Sequence, residues 1–276
     1  MIDRVGSHLP KEETASQKVA PVIVRSFDRN GLLSEKTEWV IKEQPVTLYL
    51  NGNELVTLLC AGHHLDELAA GFLHAEGFLE TLGDLEKLEV NEESGKVEVT
   101  VATDVSLANH MWQKRTVTSG CGKGSLFYYS LDALLSRPVA SGLTVPAHRI
   151  LERVDDLNRL SEIYRRTHGV HNTALASPEE VVLFRDDIGR HNAVDMVVGH
   201  CLFHGIALED KLLITTGRLT SEILIKVAKV GLPVLVSRNT ATTLAIELAS
   251  SLNITLIGYA RAGKFVAYAG EHRIVQ

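Results

Sequence analysis

Leu212-Leu-Ile-Thr-Thr-Gly-Arg-Leu-Thr-Ser-Glu-Ile-Leu-Ile-Lys-Val-Ala-Lys-Val-Gly-Leu-Pro-Val-Leu-Val-Ser237 decides the fold. The apolar runs Leu212–Thr215 and Pro233–Ser237 are too short for helices and are bounded by turn residues, which predicts buried strands. Ser221–Val230 between them predicts a helix. The alternation continues on both sides. Upstream, Thr173–Ala176 and Val181–Arg185 read as strands around Ser177-Pro-Glu-Glu180, and a helix is expected over about Ala193–Phe203. Downstream come a helix over Thr242–Leu252 and two strands, Ile254–Tyr259 and Phe265–Tyr268, closing as a hairpin across Ala260-Arg-Ala-Gly-Lys264. A long amphipathic helix, about Ala147–Thr167, precedes all of these, with Ile150, Leu151, Val154, Leu157, Leu160, Ile163 and Tyr164 on one face. Such alternation predicts a three-layer α/β domain with a mixed sheet over residues 141–276, entered through the loop-like Arg137–Pro146.

The first half reads differently. Residues 1–18 are polar, mixed in charge and without a signal-peptide apolar core, and are expected to be a flexible tail. Val19–Phe27 and Thr37–Ile41 look like strands. Val46–Leu50 and Glu54–Leu59 flank Asn51-Gly52, whose residues tolerate the positive φ of a tight hairpin. A helix carrying Leu65, Leu68, Ala69, Phe72, Leu73 and Leu79 follows, and a second hairpin, Leu88–Val90 with Lys96–Ala102. Ser106–Lys114 reads as a short helix. Residues 19–140 are thus expected to form an α+β N-terminal domain.

Composition narrows the function classes. The chain has 276 residues, 45% hydrophobic and 22% charged, with a net charge of −6. These are ordinary values for a globular protein, and the negative balance argues against a nucleic-acid binder. No apolar run is long enough to span a membrane. The three cysteines, Cys60, Cys121 and Cys201, are widely spaced and odd in number, so neither a disulfide framework nor a zinc CxxC pair is readable. A reduced, cytoplasmic protein is expected. Cys60 and Cys201 lie in apolar runs and read as buried small hydrophobes.

Cys121 is different. It sits in Thr116-Val-Thr-Ser-Gly-Cys-Gly-Lys-Gly-Ser125, where glycines leave no side chains to cover the sulfur. Lys123 and the glycine amides are suited to lowering a thiol pKa, so the expectation is an exposed, reactive thiol rather than an incidental one.

Four polar stretches lie in the second half. Arg185-Asp-Asp-Ile-Gly-Arg-His-Asn-Ala-Val-Asp195 follows a strand and opens a helix, where α/β domains place ligand sites. Asn192 is suited to cap that helix, with Asp195 three residues on. Capping leaves Arg185, Asp186, Asp187, Arg190 and His191 unaccounted for, and His191 titrates near neutrality and is suited to move a proton. Thr215-Thr-Gly-Arg-Leu-Thr-Ser-Glu222, with Arg218, Thr220 and Ser221, and Ser237-Arg-Asn-Thr-Ala-Thr-Thr243, with Arg238, each place hydroxyls and an arginine at a helix N-terminus. Two such anion sites in one sheet suggest a large anionic ligand such as a nucleotide. Tyr259-Ala260-Arg261-Ala262-Gly263-Lys264 offers an aromatic ring for stacking and two cations for phosphate. Two apparent metal signals are set aside. His168 and His171 lack a third clustered donor and read as polar residues at a helix end. His74-Ala-Glu76 matches half of a zinc deaminase signature, but no P-C-x-x-C follows.

Taken together, Thr118-Ser-Gly-Cys-Gly122, Asp187–Asp195, Gly217-Arg-Leu-Thr-Ser-Glu222, Gly231–Ser237 with Thr242-Thr-Leu-Ala245, and Leu256-Ile-Gly-Tyr259 resemble one family, the formate dehydrogenase accessory protein FdhD. The resemblance covers nearly the whole chain beyond the tail. It implies a sulfurtransferase-like sulfur carrier that takes sulfur from an IscS-type cysteine desulfurase as a persulfide on Cys121. That sulfur would pass to the molybdenum of the bis(molybdopterin guanine dinucleotide) cofactor, bound as substrate, before the cofactor enters formate dehydrogenase. Tyr259–Lys264 matches the family's cofactor-binding stretch. The resemblance also implies a C-terminal domain similar to cytidine deaminase without its zinc, and a homodimer. One departure stands out. Many members carry C-G-x-C-G, whereas position 124 here is glycine, so no resolving cysteine neighbours Cys121. Two other readings of the residues stay open: a non-catalytic molybdenum-cofactor-binding chaperone, and a cysteine-nucleophile hydrolase with a Cys121–His191–Asp195 arrangement.

Overall fold

Alternate residues of the short C-terminal strands point to opposite faces, and helices cover both. The computed structural model describes residues 18–102 and 137–276. In the second half, β8 (His171–Ala176), β9 (Val181–Asp187), β10 (Leu212–Thr215), β11 (Val234–Ser237), β12 (Thr255–Arg261) and β13 (Lys264–Ala269) form one mixed sheet of order β13-β12-β11-β10-β8-β9. β10, β11 and β12 run parallel; β8, β9 and β13 pair antiparallel to their neighbours. Leu175, Leu183, Leu213, Leu235 and Leu256 face a core lined by α4 (Arg190–His204), α5 (Ser221–Lys229) and α6 (Thr243–Ser251). The residues between them, among them Ala174, Leu212, Ile214, Val234 and Val236, meet α2 (Ala147–Leu160) through Ile150, Val154 and Leu157. This is the expected three-layer α/β arrangement with a mixed sheet. A two-residue parallel pairing of β7 (Val145–Pro146) with β14 (Ile274–Val275) ties the entrance of this unit to its end. Val139, just upstream, is already part of its core.

Two helix boundaries differ from expectation. The single helix expected over Ala147–Thr167 breaks at Ser161, which is non-helical (φ −84°, ψ 89°) and caps a short α3 (Glu162–Thr167). Its hydroxyl accepts from the Tyr164 amide at 3.2 Å and donates to Asn172 Oδ1 at 2.8 Å, so local side-chain bonding outcompetes helix continuation. The helix expected near Ala193 begins at Arg190 with Gly189 as N-cap. Asn192 therefore does not cap it; its side-chain amide bridges Leu59 O at 2.8 Å and Asp187 Oδ1 at 2.7 Å.

In the first half, β3 (Gln44–Leu50), β4 (Asn53–Cys60), β5 (Leu85–Asn91) and β6 (Lys96–Val101) form a sheet of order β4-β3-β6-β5, covered by α1 (Leu65–Ala75). Asn51 (φ 48°) and Gly52 (φ 78°) make the expected tight hairpin. Among the described residues, β1 (Val19–Asp28) and β2 (Gly31–Ile41) pair only with each other, as a long ribbon. Its base packs through Val19 and Ile41 on Ile163 and Val170, while Ile23, Phe27, Leu32 and Leu33 are exposed. Lys18, grouped with the tail in the sequence, is buried against Asp186 at 3.4 Å.

The two halves meet where α1 crosses α4. A Cβ at Gly71 would fall 1.9 Å from Asp195 O, and one at Gly199 would fall 1.9 Å from Glu67 O. Only glycine permits that approach, and Met196 of α4 joins the N-terminal core across it.

Candidate functional site at the carboxyl edge of the sheet

β9, β10 and β11 all end at the same edge of the large sheet, so the N-termini of α4, α5 and α6 gather there. The β12–β13 hairpin turns at this edge too, and antiparallel β8 starts from it at His171. This is the edge at which open α/β sheets place ligands. Backbone bonds tie the loops into one surface. Leu219 N–H donates to Thr240 O (3.0 Å), Thr242 N–H to Leu219 O (3.0 Å) and Tyr259 N–H to Asn239 O (2.9 Å). The Ser237 hydroxyl donates to Gly217 O at 2.6 Å.

The structure brings His191, Arg218, Thr220 and Ser221 together around α4 and α5. His191 Nε2 lies 2.9 Å from Glu222 Oε2. Burial pushes the His191 pKa below its ordinary value despite the carboxylate, so the imidazole is neutral at pH 7. Thr220 is the N-cap residue of α5, yet its hydroxyl oxygen is buried and makes no hydrogen bond among the described residues. By contrast, the corresponding Thr242 hydroxyl caps α6 by accepting from Ala245 N–H at 3.4 Å. Ser221 opens α5 and Arg218 is exposed beside it.

Arg238 and the hairpin occupy the neighbouring part of the edge. Arg238 Nη1 donates to Asn158 Oδ1 at 2.7 Å, and its Nε is buried without a hydrogen-bond partner among the described residues. Tyr259 is 40% exposed and adopts φ 50°, left-handed backbone that tyrosine rarely takes, at a break in the β12–β13 register. The Arg261 guanidinium lies 5.6 Å from the centre of its ring. Ala262 and Gly263 form the turn, and Lys264 is exposed on β13. Ala260 is fully buried against the α2 core, so of this stretch it offers only backbone to the edge.

Other sequence candidates lie elsewhere. Arg185, Asp186 and Asp187 are strand residues buried between the two halves, not ligand groups at the edge. Arg185 forks onto Glu67 of α1 at 2.5 and 2.7 Å, and His200 Nδ1 lies 2.7 Å from the same carboxylate. Asp186 pairs with Lys18 and with His63 at 3.3 Å. Asp187 accepts from the Ala61 and Gly189 amides, both at 2.8 Å. Asp195 pairs with Lys226 at 2.5 Å rather than with His191, so the His191–Asp195 pair of the hydrolase reading does not form; the acid beside His191 is Glu222. The motif Thr215–Glu222 contained that acid, but nothing in its spacing tied it to His191. His168 caps α3 and His171 opens β8, where its Nδ1 meets Thr216 Oγ1 at 3.3 Å.

Cys121, its glycine loop and the expected helix Ser106–Lys114 lie outside the described residues. The other two cysteines are buried, as expected, and burial pushes the pKa of each up to about 12. Among the described residues no helix is long and apolar enough to cross a membrane.

Comparison with known proteins places the chain. The FdhD/NarQ family model matches residues 41–275. The sulfur carrier protein FdhD of Geobacillus kaustophilus is 40% identical over 247 residues, covering 90% of this chain and 94% of that protein. Its namesake in Bacillus subtilis is 38% identical over 244 residues, covering 88% and 93%. A crystal structure of a formate dehydrogenase accessory protein from Desulfotalea psychrophila shares the fold, with a TM-score of 0.77 over 93% of this chain and 99% of that one at 24% identity. The chain belongs to the FdhD/NarQ family.

Proposed function

We propose that this protein is a sulfur carrier in formate dehydrogenase maturation, a sulfurtransferase whose carrier group is Cys121. What carries the reading is the separation of the three cysteines. Cys60 and Cys201 are buried thiols with pKa of about 12, unfit to form the nucleophilic thiolate, which leaves Cys121 for the sulfur chemistry of the relatives' name.

The Cys121 thiolate attacks the terminal sulfur of a persulfide on an IscS-type cysteine desulfurase. The donor's sulfur–sulfur bond breaks, a new one forms on Cys121, and the desulfurase cysteine leaves as thiolate, with no net redox change. Delivery of that sulfur as sulfide to molybdenum takes two electrons from a thiol-class reductant. The receiving substrate is the bis(molybdopterin guanine dinucleotide) cofactor. Its polyanionic character fits the unpartnered Thr220 hydroxyl, the half-satisfied Arg238 and the exposed Arg261 and Lys264 of the sheet edge. Tyr259 offers a ring face to a guanine, and Ser221 and Arg218 flank the α5 N-terminus. His191, held neutral beside Glu222, is placed to exchange a proton there. With glycine at 124, the loop supplies no second thiol, so release of sulfur does not pass through a loop disulfide.

Mass spectrometry after incubation with a cysteine desulfurase and cysteine tests the reading. A mass gain of one sulfur on Cys121, absent from Cys121→Ala, is expected. An unmodified Cys121 beside a charged desulfurase refutes it. Restoration of formate dehydrogenase activity by Cys121→Ala would favour the cofactor chaperone instead.

A further inference from the structure

Two polar contacts join α4 to α5, one helical turn apart. His191 and Asp195 stand four residues apart on α4, and Glu222 and Lys226 four apart on α5. His191 Nε2 lies 2.9 Å from Glu222 Oε2, and Lys226 Nζ donates to Asp195 Oδ1 at 2.5 Å and to Oδ2 at 2.6 Å. Both helices start at the carboxyl edge of the sheet, so the histidine pair sits at that edge and the aspartate pair about 5.4 Å deeper. At that depth the two halves of the molecule cross: the Asp195 carbonyl is the one that Gly71 of α1 approaches. Lys229, next along α5, donates to Ala75 O at the end of α1 at 2.7 Å. None of the four side chains is more than 16% exposed, so their charges act on one another with little screening.

Each partner of His191 acts on it differently. A nitrogen lone pair does not settle 2.9 Å from a carboxylate oxygen, so Nε2 carries the ring hydrogen and Nδ1 is the basic nitrogen. A carboxylate so close would by itself draw a second proton onto the ring. Burial opposes this, and so do the positive charges of Lys226 and of Arg190, whose stem lies along the bare backbone of Gly217. The charges on His191 are thus those of Glu222 and Lys226 from α5 and Arg190 from its own helix. Asp195 faces Lys226 and, from the end of α1, Glu76. Burial raises the Asp195 pKa to about 6, and acid taken up there leaves the Lys226 charge less compensated, which holds His191 neutral further into the acid range.

We infer that Glu222 and Lys226 are positioning residues for His191: Glu222 sets the ring so that Nδ1 is its base, and Lys226, held by Asp195 at the crossing of the two halves, keeps that base uncharged. The inference rests on the proton role given to His191 above.

Ring NMR of the histidine-labelled full chain, titrated from about pH 5 to pH 8, tests it; the His191 signal is the one missing from His191→Gln. In wild type the neutral ring is expected to carry its hydrogen on Nε2. The His191 midpoint is expected to move up in Lys226→Met and down, or not at all, in Asp195→Asn. In Glu222→Gln it is expected to move down, with hydrogen redistributed towards Nδ1. Merely loosened packing would instead raise the midpoint in both Lys226→Met and Asp195→Asn, and that result overturns the inference, as does an unmoved midpoint in Lys226→Met. Should Lys226→Met fail to fold, the double variant Asp195→Asn/Lys226→Met buries no unpaired charge. Its midpoint is expected above that of wild type, because the Lys226 charge bears directly on His191, and an unmoved one overturns the inference. Formate dehydrogenase activation per loaded Cys121 separates this from the reading beneath it. His191→Gln is expected to lower that activation about a hundredfold, and the pH profile of Lys226→Met to shift with its His191 midpoint. Unchanged activation in His191→Gln refutes the proton role itself. Activation that falls there, beside a fixed midpoint in Lys226→Met, overturns the positioning inference alone.

Discussion

Glu67→Gln should uncouple the two halves of the molecule. Glu67 lies on α1, and the groups that hold its carboxylate, Arg185 and His200, lie on β9 and α4. All three are buried. Burial alone would raise the Glu67 pKa, but hydrogen bonds from Arg185 and His200 overcome it and hold the carboxyl at about 2, against 4.5 for a free glutamate. Glutamine keeps the shape and removes the charge, leaving Arg185 buried with Phe184 O at 2.7 Å as its remaining strong acceptor. Removing one partner of a buried pair destabilises by roughly 3–5 kcal/mol, so urea unfolding at pH 7 should show a loss of that order. The pH dependence gives a second measure. A depressed carboxyl pKa contributes stability that is fully present above the unfolded value and lost as pH falls through the folded one. The interval from 4.5 to about 2 corresponds to about 3 kcal/mol. The gap between wild type and variant should narrow by about that amount between pH 5 and pH 2. A variant within about 1 kcal/mol of wild type at pH 7, or a gap that does not change with pH, refutes the claim that this bridge holds the halves together.

Other outcomes follow from the same contacts. Lys226→Met leaves Asp195 buried without its cation; since burial already raises the Asp195 pKa to about 6, the variant should melt close to wild type at pH 5 and progressively lower toward pH 8, as stability tied to the protonated acid is lost on ionisation. Alkylation of the native protein near pH 8 should spare Cys60 and Cys201, and both should react only after unfolding; peptide mapping that finds either modified in the native state contradicts their burial. Arg261→Ala should weaken guanine-nucleotide binding, and unchanged affinity in a titration removes the hairpin from the site.

The α/β half was legible because its strands are short and doubly buried. Leu212–Thr215 and Val234–Ser237 are apolar on both faces, and only strands of a covered sheet read that way. The start of α5 was legible for a similar reason: a glycine followed by hydroxyl residues ends one element and opens a helix. Arg185-Asp-Asp187 misled because the same residue types serve ligands and buried bridges. What separates the two is Glu67, 118 residues away in sequence, and no local pattern announces a partner at that distance. The acid beside His191 was misassigned on the same ground. Asp195 and Glu222 were both within reach of a spacing argument, and the burial of Lys226 against Asp195 decided between them. Arg190 and Gly217 were both visible, but their contact is tertiary and needed coordinates.

On the proposed carrier reading, the glycine crossing bears on how sulfur is delivered. Ala102, which precedes the segment holding Cys121, donates its N–H to Asp84 O in the N-terminal half at 3.0 Å, and Val139, which follows it, donates its N–H to Leu252 O in the α/β half at 2.8 Å. Gly71 and Gly199 bring those halves backbone to backbone, so on the proposed reading a hinge that carried Cys121 to the sheet edge would have to break this packing. Gly199→Ala tests this. A Cβ there meets Glu67 O, backbone that cannot rotate away, so the helices must part, at about 1–3 kcal/mol or more. Well below its melting temperature, the variant should load Cys121 with sulfur as wild type does, because loading needs only the thiol and the desulfurase. On the proposed reading, formate dehydrogenase activation per loaded Cys121 should fall, because parting the helices shifts the segment's two anchors relative to the proposed ligand edge. If loading and activation fall in equal proportion, or neither falls, the locked crossing has no part in delivery.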